Sequence, residues 1–173
     1  MSHRESTVIL AAVTAVSLAL AGPVTAQGAE VLFGGMSTHD STQPVEVTAE
    51  QLFVDQASGA SVFSGGVVVG QGDMRLSAES IRIEYRQGAD GQPGGISQLI
   101  ASGGVTLVVG AEAAEAREAV YSIDEGTIVL TGDVLLTQGG NALSGERLVV
   151  DLNTNTGTME GRVRTIIQPG SAQ

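Results

Sequence analysis

The 173-residue chain has no cysteine and no tryptophan, and all eight of its basic side chains are arginine. Each absence removes a class of chemistry. Without cysteine there is no disulfide staple, no thiol nucleophile and no thiolate metal site. Its lack does not fix a compartment, because disulfides are optional outside the cytoplasm. Histidine is confined to His3 and His39, too few for a multi-histidine metal site or a conventional Ser-His-Asp arrangement near the bulk of the chain. The formal charge of −11 argues against a nucleic-acid surface. With no lysine, the glycines have no partner for a phosphate cradle. Aromatic residues are also scarce, three Phe and two Tyr.

Abundant instead are glycine, 24 residues, and aliphatic side chains. Near the start, Val8–Ala21 is an apolar run followed by Gly22-Pro23-Val24-Thr25-Ala26. Small side chains at Val24 and Ala26 suit a signal-peptidase site, and the run is shorter than the about 20 residues of a membrane span. Residues 1–26 are therefore expected to be a signal peptide, with Gln27 the first mature residue. The alternative is a retained anchor, since Arg4 is offset by Glu5. After cleavage seven Arg face eighteen acids, so the charge stays at −11. Residues 27–44 read as a flexible N-terminal segment, 45–168 as one domain and 169–173 as a tail.

Two phrases recur in that domain. One is apolar-x-Gly-x-Val, at Phe63–Val67, Ala101–Val105, Leu130–Val134 and Met159–Val163. The other begins with a small residue, Ala49, Ala78, Ala116 or Gly145, and after two intervening positions runs apolar-x-apolar. From each glycine (Gly65, Gly103, Gly132) to the next small residue is always 13 positions. From small residue to glycine is 16, except from Ala78 to Gly103, where it is 25. The nine extra residues fall most simply within the polar, turn-forming stretch Arg86–Gly95. Four units of about 29 residues thus run from Val45 to near Ile167, a period that signals stacked units sharing one core.

Each unit is β, with period-two alternation of Val, Ile, Leu and Thr and with turns at Gly139-Gly140-Asn141 and Asp151–Gly157. Gly110–Ala119 favours helix by propensity, but the repeat register makes its second half a strand. The apolar parity switches at Ala49, Ala78 and Gly145, so the strand must bulge or turn a corner there. Gly65, Gly103, Gly132 and Gly161 stand on the inward parity, where a missing side chain lets the strand bend. Repeated corners fold the strands into a flattened roll of two sheets. The expected inner face comprises Leu52, Val54, Phe63, Val67, Leu76, Ile81, Ile83, Val105, Leu107, Tyr121, Leu130, Val134, Leu136, Leu143, Leu148, Val150, Met159 and Val163. It carries no charge.

Paired carboxylates, Glu46 with Glu50 or Asp151 with Glu160, are the remaining catalytic candidates. Acids recur at equivalent places in the units, Asp55, Glu84 and Asp151 at strand ends and Glu50, Glu79 and Glu146 at corners. Solvated edge charges that discourage sheet-to-sheet association explain this more simply than catalysis does. Asp90 alone, in the loop Gly88–Gly95, does not make a calcium site. No metal, cofactor or enzymatic role is expected. An aliphatic face is most often a packed core; the alternative is a slot between sheets that admits acyl chains.

The phrases Leu130-Thr131-Gly132-x-Val134, Gln138-Gly139-x-Asn141-x-Leu143-x-Gly145 and Val150-Asp151-Leu152, with Val47-Thr48-Ala49-Glu50 ahead of them, resemble the LptA/OstA family. The resemblance covers about Val45 to Ile167. It implies a β-jellyroll-like domain in the periplasm that binds lipopolysaccharide by its lipid A acyl chains. It also implies self-association by edge strands into a bridge between LptC-type components at the inner membrane and LptD-type components at the outer. The contact edges would be Val163–Ile167 and Val45–Val54. Arg75, Arg82, Arg147, Arg162 and Arg164 are candidates to offset the acidic charge near lipid phosphates. A membrane-anchored LptC-type protein and a ligand-free structural solenoid are the other readings.

Overall fold

The glycine-marked corners organise the whole chain. In the computed structural model, which describes residues 29–32, 40, 42–88 and 93–168, eleven strands form one antiparallel sheet. They are β1 (Ala29–Leu32), β2 (Glu46–Thr48), β3 (Gln51–Val54), β4 (Ser61–Gln71), β5 (Met74–Gln87) and β6 (Pro93–Val109), followed by β7 (Glu112–Ser122), β8 (Thr127–Gln138), β9 (Asn141–Asp151), β10 (Thr156–Glu160) and β11 (Arg164–Ile166). The order is β1-β10-β9-β8-β7-β6-β5-β4-β2, with β3 also on β4 and β11 also on β9. Residues 1–26, His39 and the tail 169–173 lie outside the described residues. Ala29–Leu32, within the stretch expected to be flexible, is a strand because β10 offers it an edge.

Every long strand is interrupted at its middle. The pairing of β4 with β5 skips from Ser64↔Ser80 to Val67↔Ala78, that of β6 with β7 from Ser102↔Glu118 to Val105↔Ala116, and that of β8 with β9 from Thr131↔Arg147 to Val134↔Gly145. Two residues thus oppose one at each step, the definition of a bulge. At the ends of the sheet the break is complete, and a bent strand appears as β2 plus β3 or as β10 plus β11. Eight bent strands therefore make two layers. One contains β2, β11 and the halves of β4–β9 nearest the turns at 72–73, 110–111 and 139–140. The other contains β3, β10, β1 and the remaining halves. Val67, Val69, Leu76 and Leu136 of the first layer share one buried cluster with Ile81, Leu99, Leu130 and Leu148 of the second. With no helix among the described residues to cover them, the halves of the sheet must face each other.

The doubled residues explain why glycine recurs. Gly65-Gly66, Gly103-Gly104, Gly132-Asp133 and Gly161-Arg162 all have positive φ, between 40° and 87°, a region in which side chains other than glycine are strained. The first residue of each doublet has a second reason to lack a side chain. A Cβ on Gly103 would lie 2.6 Å from Cβ of Glu79, and one on Gly161 would lie 2.6 Å from Cβ of Glu146. In the last two units the second residue is charged and meets an opposite charge at the facing corner: Asp133 pairs with Arg117, and Arg162 with Glu146 at 3.3 Å. These pairs are exposed and contribute little. Ala49, Ala78, Ala116 and Gly145 stand just before the single corner residues Glu50, Glu79, Arg117 and Glu146. At Gly145 even a methyl would meet Sδ of Met159 at 2.7 Å.

The extra residues of the second unit lengthen a hairpin rather than hang as a loop. β5 continues through Tyr85 to Gln87, and β6 starts at Pro93 with slipped register, Tyr85↔Ile96 and Gln87↔Pro93. Arg86 pairs with Asp124 of the neighbouring turn, and Tyr85 donates to Oγ of Ser61 at 3.2 Å. Arg86, Gln87 and Pro93–Gly95, in the stretch read as turn-forming, are strand instead; residues 89–92 lie outside the described residues. Gly110–Ala119 falls largely in β7, as the register required.

Turns at the far rim of the second layer use aspartate. Asp55 accepts from the Ala57 N–H at 2.9 Å and the Ser58 hydroxyl at 2.6 Å, and Asp151 from the N–H groups of Asn153 and Thr154. The Ser58 hydroxyl, then the Ala57 N–H, holds the Asp55 carboxyl below its ordinary value of 3.8; the Thr154 and Asn153 N–H groups do the same for Asp151.

Two tests follow from this geometry. Gly103→Ala should lower stability by about 2–4 kcal/mol from strain plus collision. Gly104→Ala, whose Cβ meets nothing within 4 Å, should cost only the about 1–2 kcal/mol of its positive φ; denaturant titration of both variants checks the difference. The two aspartates, being acidified in the folded chain, stabilise it above pH about 3.8 and lose that contribution as pH falls through their folded values. Asp55→Asn and Asp151→Asn should accordingly flatten the acid limb of stability against pH.

Candidate functional site

The inner face runs through all four units. Of its eighteen expected members, fourteen are buried: Val67, Leu76, Ile81, Ile83, Val105, Leu107, Tyr121, Leu130, Val134, Leu136, Leu143, Leu148, Val150 and Met159. Phe63 and Val163 are partly buried and pack against them. Leu52 and Val54 depart from the expectation of enclosure, at 57% and 52% exposed. Register puts them on the inner side, since Leu52 faces Phe63 and Val54 faces Ser61. They belong, however, to β3, which among the described residues pairs with β4 alone and so ends its layer. Val69, Met74, Leu99, Val109 and Ile128 are buried with them, as are the small side chains of Ala60, Ala78, Ala101, Ala114 and Ala119. Val69 and Val109 follow the same alternation as their neighbours, whereas the Leu99-Ile100 pair beside the insertion hides which residue points inward.

One side of the buried interior is closed by the bend, where the chain is continuous. The opposite side, where the free rims of the layers meet, is closed by side chains. Tyr121, from the second layer, donates its buried hydroxyl to Oε1 of Gln71, from the first, at 3.3 Å. Gln71 in turn donates through Nε2 to the Gln43 carbonyl at 3.0 Å. Burial pushes the Tyr121 phenol above its ordinary value of 10.0, so it remains a donor at neutral pH. Also at the rim, the Glu112 carboxylate is buried and accepts from Nε2 of Gln138. The expectation of an inner face free of charge is corrected here: alternation assigned Glu112 no face, yet it shares the inward parity of Ala114.

The five candidate arginines stand on the outer face or at the bend. Arg82 pairs with Glu84 at 3.0 Å, Arg147 with Glu160 at 2.7 Å, and Arg162 with Glu146. Arg75 donates to the Gly72 and Met74 carbonyls, each at 2.7 Å. Arg164 borders a surface hollow of about 170 Å³ with Leu135, Leu143 and Ile166. The paired-carboxylate candidates are kept apart. Glu46 sits in β2 and Glu50 at the bend, while Asp151 is engaged in its turn and Glu160 pairs with Arg147. Among the described residues no group of three or more acids or histidines could hold a metal ion.

A two-layer β roll with a bend on one side and an aliphatic interior is the setting in which similarity to known proteins becomes informative. A family model described as LptA/(LptD N-terminal domain) LPS transport protein matches residues 46–156. The chain belongs to this family. Among curated relatives, lipopolysaccharide export protein LptH of Pseudomonas aeruginosa is 27% identical over 149 residues, covering 75% of this chain and 82% of that one. Lipopolysaccharide export protein LptA of Escherichia coli K12 is 25% identical, covering 79% of this chain and 77% of its own. An uncharacterised Rhizobium meliloti protein is 29% identical, covering 75% and 73%. The crystal structure of the P. aeruginosa LptH, described as the LptA-homologous periplasmic component of the lipopolysaccharide transport device, matches with a TM-score of 0.67 at 21% identity. It covers 76% of this chain and 99% of that one. At that identity the likeness concerns the fold. The family is one of transport proteins rather than enzymes.

Removing the rim link is a direct test of its contribution. Tyr121→Phe keeps the ring and deletes the donor, leaving a buried amide oxygen to find another partner. Thermal or denaturant unfolding should show a loss of about 1–3 kcal/mol.

Proposed function

We propose that this chain binds lipopolysaccharide by its acyl chains between the two layers and carries it across the periplasm as one segment of a head-to-tail bridge. An LptC-type component at the inner membrane would hand lipid to it, and an LptD-type component at the outer membrane would receive it. The 1–26 segment serves as the export signal. Family membership supports the lipopolysaccharide cargo. The observation that carries the binding mode is the unequal closure of the interior. One long side is covalent chain, while the other is bridged by a side-chain hydrogen bond, so the layers can part there without breaking a backbone ladder.

Magnitudes favour this mode. Transferring about a dozen methylenes of one tail from water gains roughly 10 kcal/mol. The Tyr121–Gln71 bond contributes about 0.5–1.5 kcal/mol, and tails entering the slot replace the apolar contacts that the layers lose on parting. The exposed apolar edge at Leu52, Phe53 and Val54 and the exposed Ile166 and Ile167 supply, at opposite ends, surfaces for edge-to-edge joining by strand addition.

Delipidated protein titrated with lipopolysaccharide should bind it and should ignore a polysaccharide lacking lipid A. Equal response to both, or to neither, refutes acyl-chain carriage. A photo-crosslinking side chain in place of Phe63, on the inner face, should form lipid adducts, whereas one in place of Phe53, on the opposite face of the same edge, should not. N-terminal sequencing of the exported protein should find Gln27 first; retention of Met1 or Ser2 would favour an anchored component.

A further inference from the structure

The strand register shows that β1 occupies a place the repeat assigns to something else. In the second layer, each strand that precedes a doublet lies between two strands of the other kind, always in the same alignment. Phe63 of β4 faces Leu52 on one side and Ile81 on the other. Ala101 of β6 lies between Ile81 and Ala119. Leu130 of β8 lies between Ala119 and Leu148. In β10 the equivalent residue is Met159, which faces Leu148 on one side and Ala29 on the other. Two residues earlier the pattern repeats: Ser61 lies between Val54 and Ile83, Ile128 between Tyr121 and Val150, and Gly157 between Val150 and Val31.

Continuing the repeat past β10 would therefore place a residue equivalent to Leu52 opposite Met159 and one equivalent to Val54 opposite Gly157. A following copy of the chain, entering by its own β3 antiparallel to β10, would supply both. The chain supplies Ala29 and Val31 instead. Among the described residues only the second layer is capped in this way: in the first layer β11 pairs with β9 alone, and β1 ends at Ala29 opposite Met159, short of the bend at Gly161. The opposite end of the molecule presents the matching element uncovered, since Leu52, Phe53 and Val54 are all more than half exposed.

We propose that β1 is a displaceable cover: it imitates the β3 strand of a second copy, and that copy docks on β10 by pushing β1 aside and pairing its Leu52 with Met159. The inference rests on the head-to-tail reading above and adds to it a control at one end. A four-residue strand that must leave before docking weakens the apparent affinity by the fraction of molecules in which it is in place. It also shields a backbone edge that would otherwise recruit unrelated strands.

The absence of native cysteine allows a clean test. Glu30 and Thr158 face each other across β1 and β10, a spacing that a disulfide can bridge. Self-association of full-length mature protein carrying Glu30→Cys and Thr158→Cys is followed by sedimentation over a concentration series, oxidised and reduced. A variant deleted for Ala29–Leu32 is measured beside wild type, with circular-dichroism melting to verify that each is folded. Oxidation should weaken association about tenfold or more relative to the reduced form, and deletion should tighten it about tenfold relative to wild type. Association that is equal in oxidised and reduced protein overturns the cover while leaving the bridge intact. No association in any of the proteins overturns the joining of ends itself, and the cover with it. Should the deletion variant fail to fold, the oxidised-to-reduced comparison decides alone.

Discussion

Everything in this molecule depends on a backbone that must turn back on itself at the same height in every strand. A single antiparallel sheet with no helix to cover it has nothing to bury its apolar face against except itself. The solution is a line of two-against-one bulges crossing the sheet, with both residues of each doublet at positive φ. Because the bulges are aligned, the bends add up to one crease, and the two halves close as a book closes. A misplaced bulge would break more than local geometry. It would shift every inward side chain downstream of it onto the wrong face.

The crease was legible in the sequence because it repeats. The steps of 13 and 16 residues between small positions locate Gly65, Gly103, Gly132 and Gly161 on one line and Ala49, Ala78, Ala116 and Gly145 on its neighbour. The parity change beside Gly145 supplies the physical reason. Period two then orients the long strands, which is why most of the interior could be named from spacing. Other features left no periodic trace. Alternation says which way Leu52 points but not that β3 ends its layer and stays exposed. The Tyr121–Gln71 link joins residues of different layers, and no spacing along one strand encodes that. Glu112 sits where a strand begins, at the limit of its alternation. The insertion near Arg86 was visible as extra length, but its extension into strand depends on Asp124 and Ser61, which are distant in sequence.

The cargo that the family carries also suits what the chain lacks. An interior lined by aliphatic side chains with few aromatic plates offers contact area without directional hydrogen bonds. The polar features lie at its margins, with the arginines on the outer face or at the bend and Glu112 and Gln71 at the rim.

The pairing of β1 has a consequence for the order in which the chain assembles. Every other strand pairs with a near neighbour in sequence, so hairpins can close as soon as they are made, with little loop entropy to overcome. The partner of β1 is β10, almost the whole chain away. A polypeptide emerging amino end first therefore exposes its first strand throughout folding and can dock it only after all four units are in place. That last event ties the first strand to the completion of the fold: a copy truncated or stalled before β10 has no edge on which to dock it.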